Sequence, residues 1–228
     1  MITVYWIPIN LKLNSLDAED IIYLPPESAY KYFLEKNKDQ KYLKCPAFVD
    51  YLKNTYIIKA PYDIDISIDE TGFVKTNKFT QEFFEKNITW EQKEKNKFVF
   101  QVMPRYFFVT KSKLSVKISV SPMLFQKNDF AIIPGEFDIS KWIRPINCAF
   151  EVFDVPTVIS FKREQPLFMV KFETDSKEQI ELKQKIINNE IVCAGRSCSH
   201  IKDFIPKKNL NYLYKIAEGF INLIKEKI

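Results

Sequence analysis

The chain has 228 residues, of which 46% are hydrophobic and 15% aromatic, and its formal net charge is +5 at pH 7. This length and hydrophobic content are sufficient for one large domain with a sizeable core. The single histidine, His200, excludes chemistries that take two histidines from one chain, such as the 2-His-1-carboxylate iron site and the HExxH zinc site.

The first part of the chain predicts short strands with two short helical segments. Ser28 can cap the first helix, and a second helical turn is expected after Pro46. The predicted strands and hairpin lie at 2–9, 55–60, 62–68 and 73–76, and the first helix lies at 28–36. Residues 80–97 are charged and have no strand period, so they predict a short helix or a long exposed connection.

Residues 98–174 predict a β-rich region. The runs at 98–103, 105–110 and 115–120 are expected to be antiparallel neighbours. Further strands are predicted at 130–133, 147–153, 157–162 and 167–174, and the turn at 164–166 is expected to join the last two as a hairpin. Short strands at this spacing predict an α+β, mainly β fold, with an antiparallel β-sandwich or a jelly-roll/double-stranded β-helix-like core.

The C-terminal part predicts helices. Residues 176–189 begin with a capping pattern from Ser176 to Gln179, and residues 207–227 form an amphipathic pattern. We therefore divide the chain into a β-rich core at 1–175 and a helical region at 176–228, which we expect to pack together as one compact domain.

The N-terminal residues indicate no signal peptide, because a charged region, a long apolar stretch and a small-residue cleavage site are all missing there. No window reaches the roughly 18 apolar residues of a membrane span. We therefore expect a cytoplasmic protein without a membrane partner, whose four cysteines are free thiols.

One segment loosely resembles a metal site, with Cys193, Cys198 and His200 close together. Zinc would need a fourth ligand from Cys45 or Cys148, and the C-x4-C-x-H spacing is not a recurrent zinc pattern. We favour a loop with incidental thiols over structural zinc, and structural zinc over a Cys/His nucleophile pair. The sequence thus predicts no metal and no cofactor, with these three residues as weak candidates.

The segment 133–147 contains the candidate ligand-binding residues. Arg144 can clamp an anionic group with two parallel hydrogen bonds, and Trp142 can form a stacking wall beside it. Glu136 lies in the same segment, and Arg105 follows a proline in another strand connection that can converge there. The interpretation we favour is that Arg144 pairs with Glu136 or Asp138 and so fixes a long connection.

A row of carboxylates, Asp63, Asp65 and Asp69, is expected along one strand and its hairpin. Such a row can bind a hard cation or perform acid-base chemistry. We favour the interpretation that it is the solvated side of a half-buried strand.

Two segments, Cys45-Pro-Ala-Phe-Val-Asp-Tyr-Leu through Tyr-Asp-Ile64 and Ile133-Pro-Gly-Glu-Phe-Asp-Ile-Ser-Lys-Trp-Ile-Arg-Pro-Ile-Asn147, resemble an uncharacterised family of T4-like and marine tailed phages. The resemblance covers most of residues 1–175, implies a phage origin and transfers no catalytic residue. The strands around 162–167 also resemble the double-stranded β-helix of cupins and 2-oxoglutarate oxygenases, but the H-x-D/E…H triad of those enzymes is missing.

Three functional hypotheses follow. The first is a non-enzymatic phage protein, structural or host-directed, that acts in the host cytoplasm or the virion and binds a phage protein, a host protein or a second copy of itself. The second is a metal-independent enzyme or binder that holds a small anionic ligand in a β-sandwich cavity. The third and least favoured is a nucleic-acid binder that uses lysines and aromatic side chains.

Overall fold

The computed structural model describes residues 1–8, 21–36, 41–71, 74–76, 84, 88–94, 97–124, 130–185 and 209–227. In chain order, the elements within these ranges are β1 (Ile2–Pro8), β2 (Glu27–Ser28), α1 (Ala29–Lys36), a 3₁₀ turn (Lys41–Lys44), α2 (Pro46–Leu52), β3 (Thr55–Lys59), β4 (Ile64–Ile68), β5 (Val74–Thr76), β6 (Ile88–Glu94), β7 (Lys97–Thr110), β8 (Val116–Ser121), β9 (Phe130–Ile133), β10 (Gly135–Asp138), β11 (Pro145–Val152), β12 (Thr157–Phe161), β13 (Pro166–Thr174), β14 (Ile180–Gln184) and α3 (Leu210–Lys227).

Three mainly antiparallel sheets form the core of the part of the chain that the structure describes. The first sheet has the order β14-β1-β7-β11-β9, with β6 also paired to β7. The second has the order β10-β8-β13-β3-β2, and the third has the order β12-β4-β5. The predicted α+β, mainly β class with a sandwich-like core is therefore confirmed.

Alternating side chains bury one face of each strand. In β11, Ile146, Cys148, Phe150 and Val152 point into the core, while the residues between them lie on the outer face of the first sheet. Aromatic contacts then join the layers: the rings of Phe108 and Phe172 lie 5.3 Å apart between the first and second sheets. The alternation of buried and outward side chains in β11 therefore decides which of its residues can take part in a surface site.

The long strand β7 corrects one prediction. Residues 98–103 and 105–110 form one continuous strand, and β8 pairs with β10 and β13 in the second sheet instead of with β7. A bulge places 103–105 opposite a single residue of β11, because Tyr106 pairs with Ile146 and Val102 pairs with Cys148. Pro104 lacks an amide hydrogen and cannot donate to β11. The hydrogen-bond ladder between β7 and β11 is therefore interrupted at this point, although β7 continues to Thr110.

The charged segment 80–97 also differs from its prediction. Residues Ile88–Glu94 form a strand that pairs with β7, so a helix or an exposed connection is wrong for this part. Within the described residues β6 pairs only with β7, and such an edge strand tolerates a charged sequence.

The turn at 164–166 is a corner between two sheets, so the predicted hairpin is wrong. β12 pairs with β4, whereas β13 pairs with β3 and β8. The corner is held because Glu164 N donates to Ala60 O and Ala60 N donates to Gln165 O, both at 2.8 Å. Ala60 joins β3 to β4, so both chains bend from one sheet to the next at the same point.

Strand β14 corrects the predicted helix at 176–189. Ile180–Gln184 pairs in parallel with β1, from Ile2 opposite Ile180 to Trp6 opposite Gln184. Asn54 fixes the entry to this strand, since its side chain donates to Glu178 O at 2.8 Å and accepts from Ile180 N at 2.9 Å. The core therefore extends to Gln184, beyond the predicted boundary at 175, while residues 186–189 lie outside the described ranges.

The amphipathic helix predicted at 207–227 is confirmed as α3. Its buried side chains Leu213, Ala217 and Ile221 share one helical face and pack on a cluster from β1, β7 and the β10–β11 connection. Burial of a leucine or isoleucine side chain of this kind contributes roughly 1.5–3 kcal/mol. Among the described helices, none has the length and apolar character needed to cross a bilayer.

Candidate functional site

A cavity of about 210 Å³ lies where the chain passes from β9 in the first sheet to β10 in the second. We call it the Arg144 cleft. The lining residues that carry the chemistry or close the cleft are Gln101, Glu136, Phe137, Trp142, Arg144, Asn147 and Leu210. The cleft thus combines the outer face of β7 and β11, the strand β10 and the first residue of α3.

Arg144 is partly buried, and its guanidinium has few partners among the described residues. Its Nε donates to the carbonyl of Pro145 at 3.3 Å, and its Cζ lies 5.5 Å from the ring centroid of Phe137. It forms no ion pair with any described residue, and burial lowers the pKa of the guanidinium. The favoured interpretation, in which Arg144 pairs with Glu136 or Asp138, is therefore wrong.

Glu136 binds a lysine from the neighbouring strand. Lys117 Nζ lies 3.3 Å from Glu136 Oε1, and this hydrogen bond raises the pKa of Lys117. The contact follows from pairing of β10 with β8, which the sequence did not reveal.

Asp138 is 4% exposed and holds the β10–β11 connection together. Its carboxylate accepts hydrogen bonds from Ser140 N at 2.8 Å, Ser140 Oγ at 2.6 Å, Ser115 Oγ at 2.7 Å and Val116 N at 3.3 Å, and it pairs with Lys141 at 3.2 Å. Burial raises the pKa of Asp138. The hydrogen bonds from Ser140, Ser115 and Lys141 together lower that pKa by a larger amount, so it lies below its ordinary value.

Asn147 adds a polar group that sequence reasoning missed. It lies on the outer face of β11, opposite the β7 bulge, and it lines the Arg144 cleft. Its Oδ1 is buried and accepts no hydrogen bond from the described residues. The available signal was its outward position between the buried residues Ile146 and Cys148, but the bulge opposite it was not predictable.

Trp142 lines the cleft but belongs mainly to the core. It is 3% exposed and packs in the cluster beneath α3, with its ring centroid 6.4 Å from that of Tyr214. Phe137, not Trp142, provides the aromatic ring next to the guanidinium.

Arg105 lies in the β7 bulge with a positive φ of 61° and is not among the described residues that line the Arg144 cleft. Its charge acts instead on Tyr23 and Tyr62. Burial raises the pKa of both phenols, and the positive charge of Arg105 partly offsets that increase. The structure therefore brings Arg144, Trp142 and Glu136 together and places Arg105 in a different environment.

The metal candidates Cys193, Cys198 and His200 lie outside the described residues. Cys45 is exposed and Cys148 is buried, both as free thiols, and burial raises the pKa of Cys148 to about 12. Within the described ranges, no group of three or more histidine, cysteine or acidic side chains is arranged to hold a metal ion.

The carboxylates of β4 and its hairpin bind protein groups. Asp63 accepts a hydrogen bond from Arg163 N at 2.6 Å, Asp65 accepts one from Ser160 Oγ, and Asp69 accepts one from Thr71 N at 2.8 Å. These contacts support the favoured structural interpretation of the row.

Comparison with known proteins identifies no relative. No family model, curated protein or solved structure matches this chain. The resemblance to a phage family therefore stays a prediction.

A second cavity, of about 510 Å³, lies between α3, the β7–β8 connection and the β10–β11 connection. We call it the lysine cleft, because its described lining contains Lys113, Lys141, Lys215 and Lys225 together with one acid, Glu218. Lys215, Glu218 and Lys225 lie on one face of α3, and their spacing in the sequence is sufficient to predict that shared face. Their convergence with Lys113 and Lys141 depends on how α3 docks, and no local pattern predicts that.

Proposed function

We propose that the protein binds a small anionic ligand in the Arg144 cleft. The observation that carries the proposal is a partly buried guanidinium without a carboxylate partner among the described residues. A buried charge is costly unless it is paired, and a ligand carboxylate would supply the missing partner through charge-assisted hydrogen bonds.

The other lining groups narrow the chemistry of the ligand. Asn147 lines the cleft, and its Oδ1 is a buried acceptor without a partner among the described residues. We propose that the side chain turns this oxygen toward the cleft when a ligand binds, so the ligand should carry a hydroxyl or amino donor beside its acidic group. A cavity of about 210 Å³ lies below the range of roughly 300–1,000 Å³ that is usual for drug-sized ligands, which favours a small molecule. We therefore propose a small hydroxy or amino carboxylic acid.

We propose binding rather than catalysis. The charged residues of the described lining are Arg144 and Glu136, and the Glu136 carboxylate is held by Lys117 at 3.3 Å. The expectation of a non-enzymatic phage protein is compatible with this role, since an acidic group displayed by a phage or host partner would meet the same arginine. That setting is part of the proposal and rests on the sequence resemblance.

The test is binding of a panel of small hydroxy, amino and 2-oxo acids, measured by isothermal titration calorimetry and by NMR shifts of the Asn147 side-chain amide. Arg144→Gln should weaken binding by about tenfold or more, because a charge-assisted hydrogen bond is lost. Arg163→Gln is the matched control, since Arg163 is exposed and does not line the cleft.

Thermal unfolding must show that the Arg144→Gln protein is folded. Failure of every acid to bind the wild-type protein would overturn the proposal. Equal affinities of the wild-type and Arg144→Gln proteins for an acid that does bind would also overturn it.

A further inference from the structure

The lysine cleft carries positive charge that the described residues leave largely uncompensated. Lys141 pairs with Asp138 at 3.2 Å, but Lys113, Lys215 and Lys225 form no ion pair with any described residue. Glu218 is the one acid in the described lining. Within the described lining, three ammonium groups without an ion pair and one carboxylate therefore share a single cavity of about 510 Å³.

A cavity elsewhere on the protein shows that this arrangement is not general. The cavity of about 300 Å³ between α2 and β13 also contains lysines. There Lys53 pairs with Asp50 at 2.8 Å, and Lys171 pairs with Glu173 at 3.1 Å. Within the described residues, two of the three lysines that line this cavity are therefore paired with an acid and Lys177 is not, whereas in the lysine cleft one of four is paired.

Among the three lysines of the lysine cleft without an ion pair, Lys225 has the most restricted side chain. Its Nζ donates a hydrogen bond to Ser112 O at 3.3 Å, and the side chain is partly buried. Burial lowers the pKa of Lys225 because it disfavours the charged form. A polyanion in the cleft would relieve this cost and would meet an ammonium group already held in place.

We propose that the lysine cleft binds an oligophosphate chain, of the kind present in a nucleoside triphosphate or in inorganic tripolyphosphate. Several linked phosphates can contact Lys113, Lys215 and Lys225 together, whereas a single carboxylate can neutralise only one of them. This site is separate from the Arg144 cleft and does not depend on the function proposed there.

A single-stranded nucleic acid fits the cleft less well. Such chains are held by aromatic rings on which bases stack, along a basic groove. The aromatic residue of the described lining is Tyr214, whose hydroxyl accepts from Asp138 N at 2.8 Å and whose ring lies 6.0 Å from Lys141 Nζ. Its ring is therefore already in contact with a cation, and recognition falls to the phosphates.

The experiment titrates the full chain with sodium tripolyphosphate, with ATP and with a single-stranded oligonucleotide at low salt, in the presence of a metal chelator. Lys225→Met and Lys215→Met should each weaken tripolyphosphate binding by about tenfold or more. Lys44→Met removes the same charge from an exposed site away from the cleft and should change the affinity less than about twofold.

Equal affinities for tripolyphosphate and ATP would support recognition of the phosphate chain alone, and tighter binding of ATP would support an added contact to the nucleoside. No tripolyphosphate binding, or binding of the oligonucleotide alone, would overturn the proposal. Because Lys215 is exposed, its variant remains informative even if Lys225→Met fails to fold. Loss of tripolyphosphate binding in Arg144→Gln but in neither lysine variant would place the anion at the wrong cleft and would also overturn it.

Discussion

Asp138 and Arg144 stand six positions apart in one connection, yet their surroundings are opposite. The Asp138 carboxylate receives hydrogen bonds from two backbone amides and two hydroxyls, and it pairs with Lys141. Among the described residues, the Arg144 guanidinium has one carbonyl acceptor and one aromatic ring as partners. A charge with complete protein partners fixes structure, whereas a partly buried charge without them is available to a ligand.

The comparison predicts first that Asp138 is essential for stability. Asp138→Ala should lower the free energy of unfolding by about 3–5 kcal/mol, because several buried donors lose their acceptor at once. Urea unfolding monitored by tryptophan fluorescence measures the change. Asp154→Ala is the control, since Asp154 is exposed and forms no hydrogen bond with the described residues.

A loss below about 1 kcal/mol for Asp138→Ala would contradict this role, because surface aspartates commonly give changes of that size. It would also remove the contrast with Arg144, since the carboxylate would then be as dispensable for folding as we expect the guanidinium to be.

The second prediction concerns pH. The pKa of Asp138 lies below its unfolded value of about 3.9, so the folded protein binds fewer protons than the unfolded chain as that carboxylate titrates. The resulting stability is fully present above about pH 4 and is lost as the pH falls from there through the folded pKa. The stability difference between wild type and Asp138→Asn should therefore be constant near neutrality and shrink in acid.

Urea unfolding of both proteins between about pH 6 and pH 3 tests this dependence. Asp154→Asn, compared in the same way, should show no such convergence with wild type. A difference between wild type and Asp138→Asn that grows in acid would mean that the folded pKa of Asp138 is raised, contrary to the geometry.

Local patterns predict the elements of this fold better than their partners. The alternation in β11 and the helical stripe of Leu213, Ala217 and Ile221 depend on neighbours in the sequence, and both were visible. The sheet to which β8 belongs and the pairing of β14 with β1 depend on contacts far along the chain. At β14 a helical spacing competed with a strand period, and the open edge of β1 decided the outcome.

The candidate site shows the same limit. The sequence placed Arg144, Trp142 and Glu136 in one segment, and the structure places all three around one cleft. The sequence could not show that Lys117 from β8 binds Glu136, or that Arg144 has no acidic partner among the described residues. The role of Asn147 was hidden for the same reason, because it depends on a bulge in the neighbouring strand.

The smallest expected effect concerns Asn147. Asn147→Val should raise the free energy of unfolding by about 1 kcal/mol, because it removes a buried acceptor without a partner and adds a β-branched side chain in a strand. The same change should weaken binding of the small acid at Arg144 by about tenfold, because the ligand loses its second hydrogen-bond partner.

Ser121→Ala is the matched control: Ser121 Oγ is also buried without a partner among the described residues, but it does not line the Arg144 cleft. Ser121→Ala should therefore stabilise the protein without a change in binding, and a destabilised Asn147→Val protein would show that the Asn147 amide supports the fold instead of a ligand.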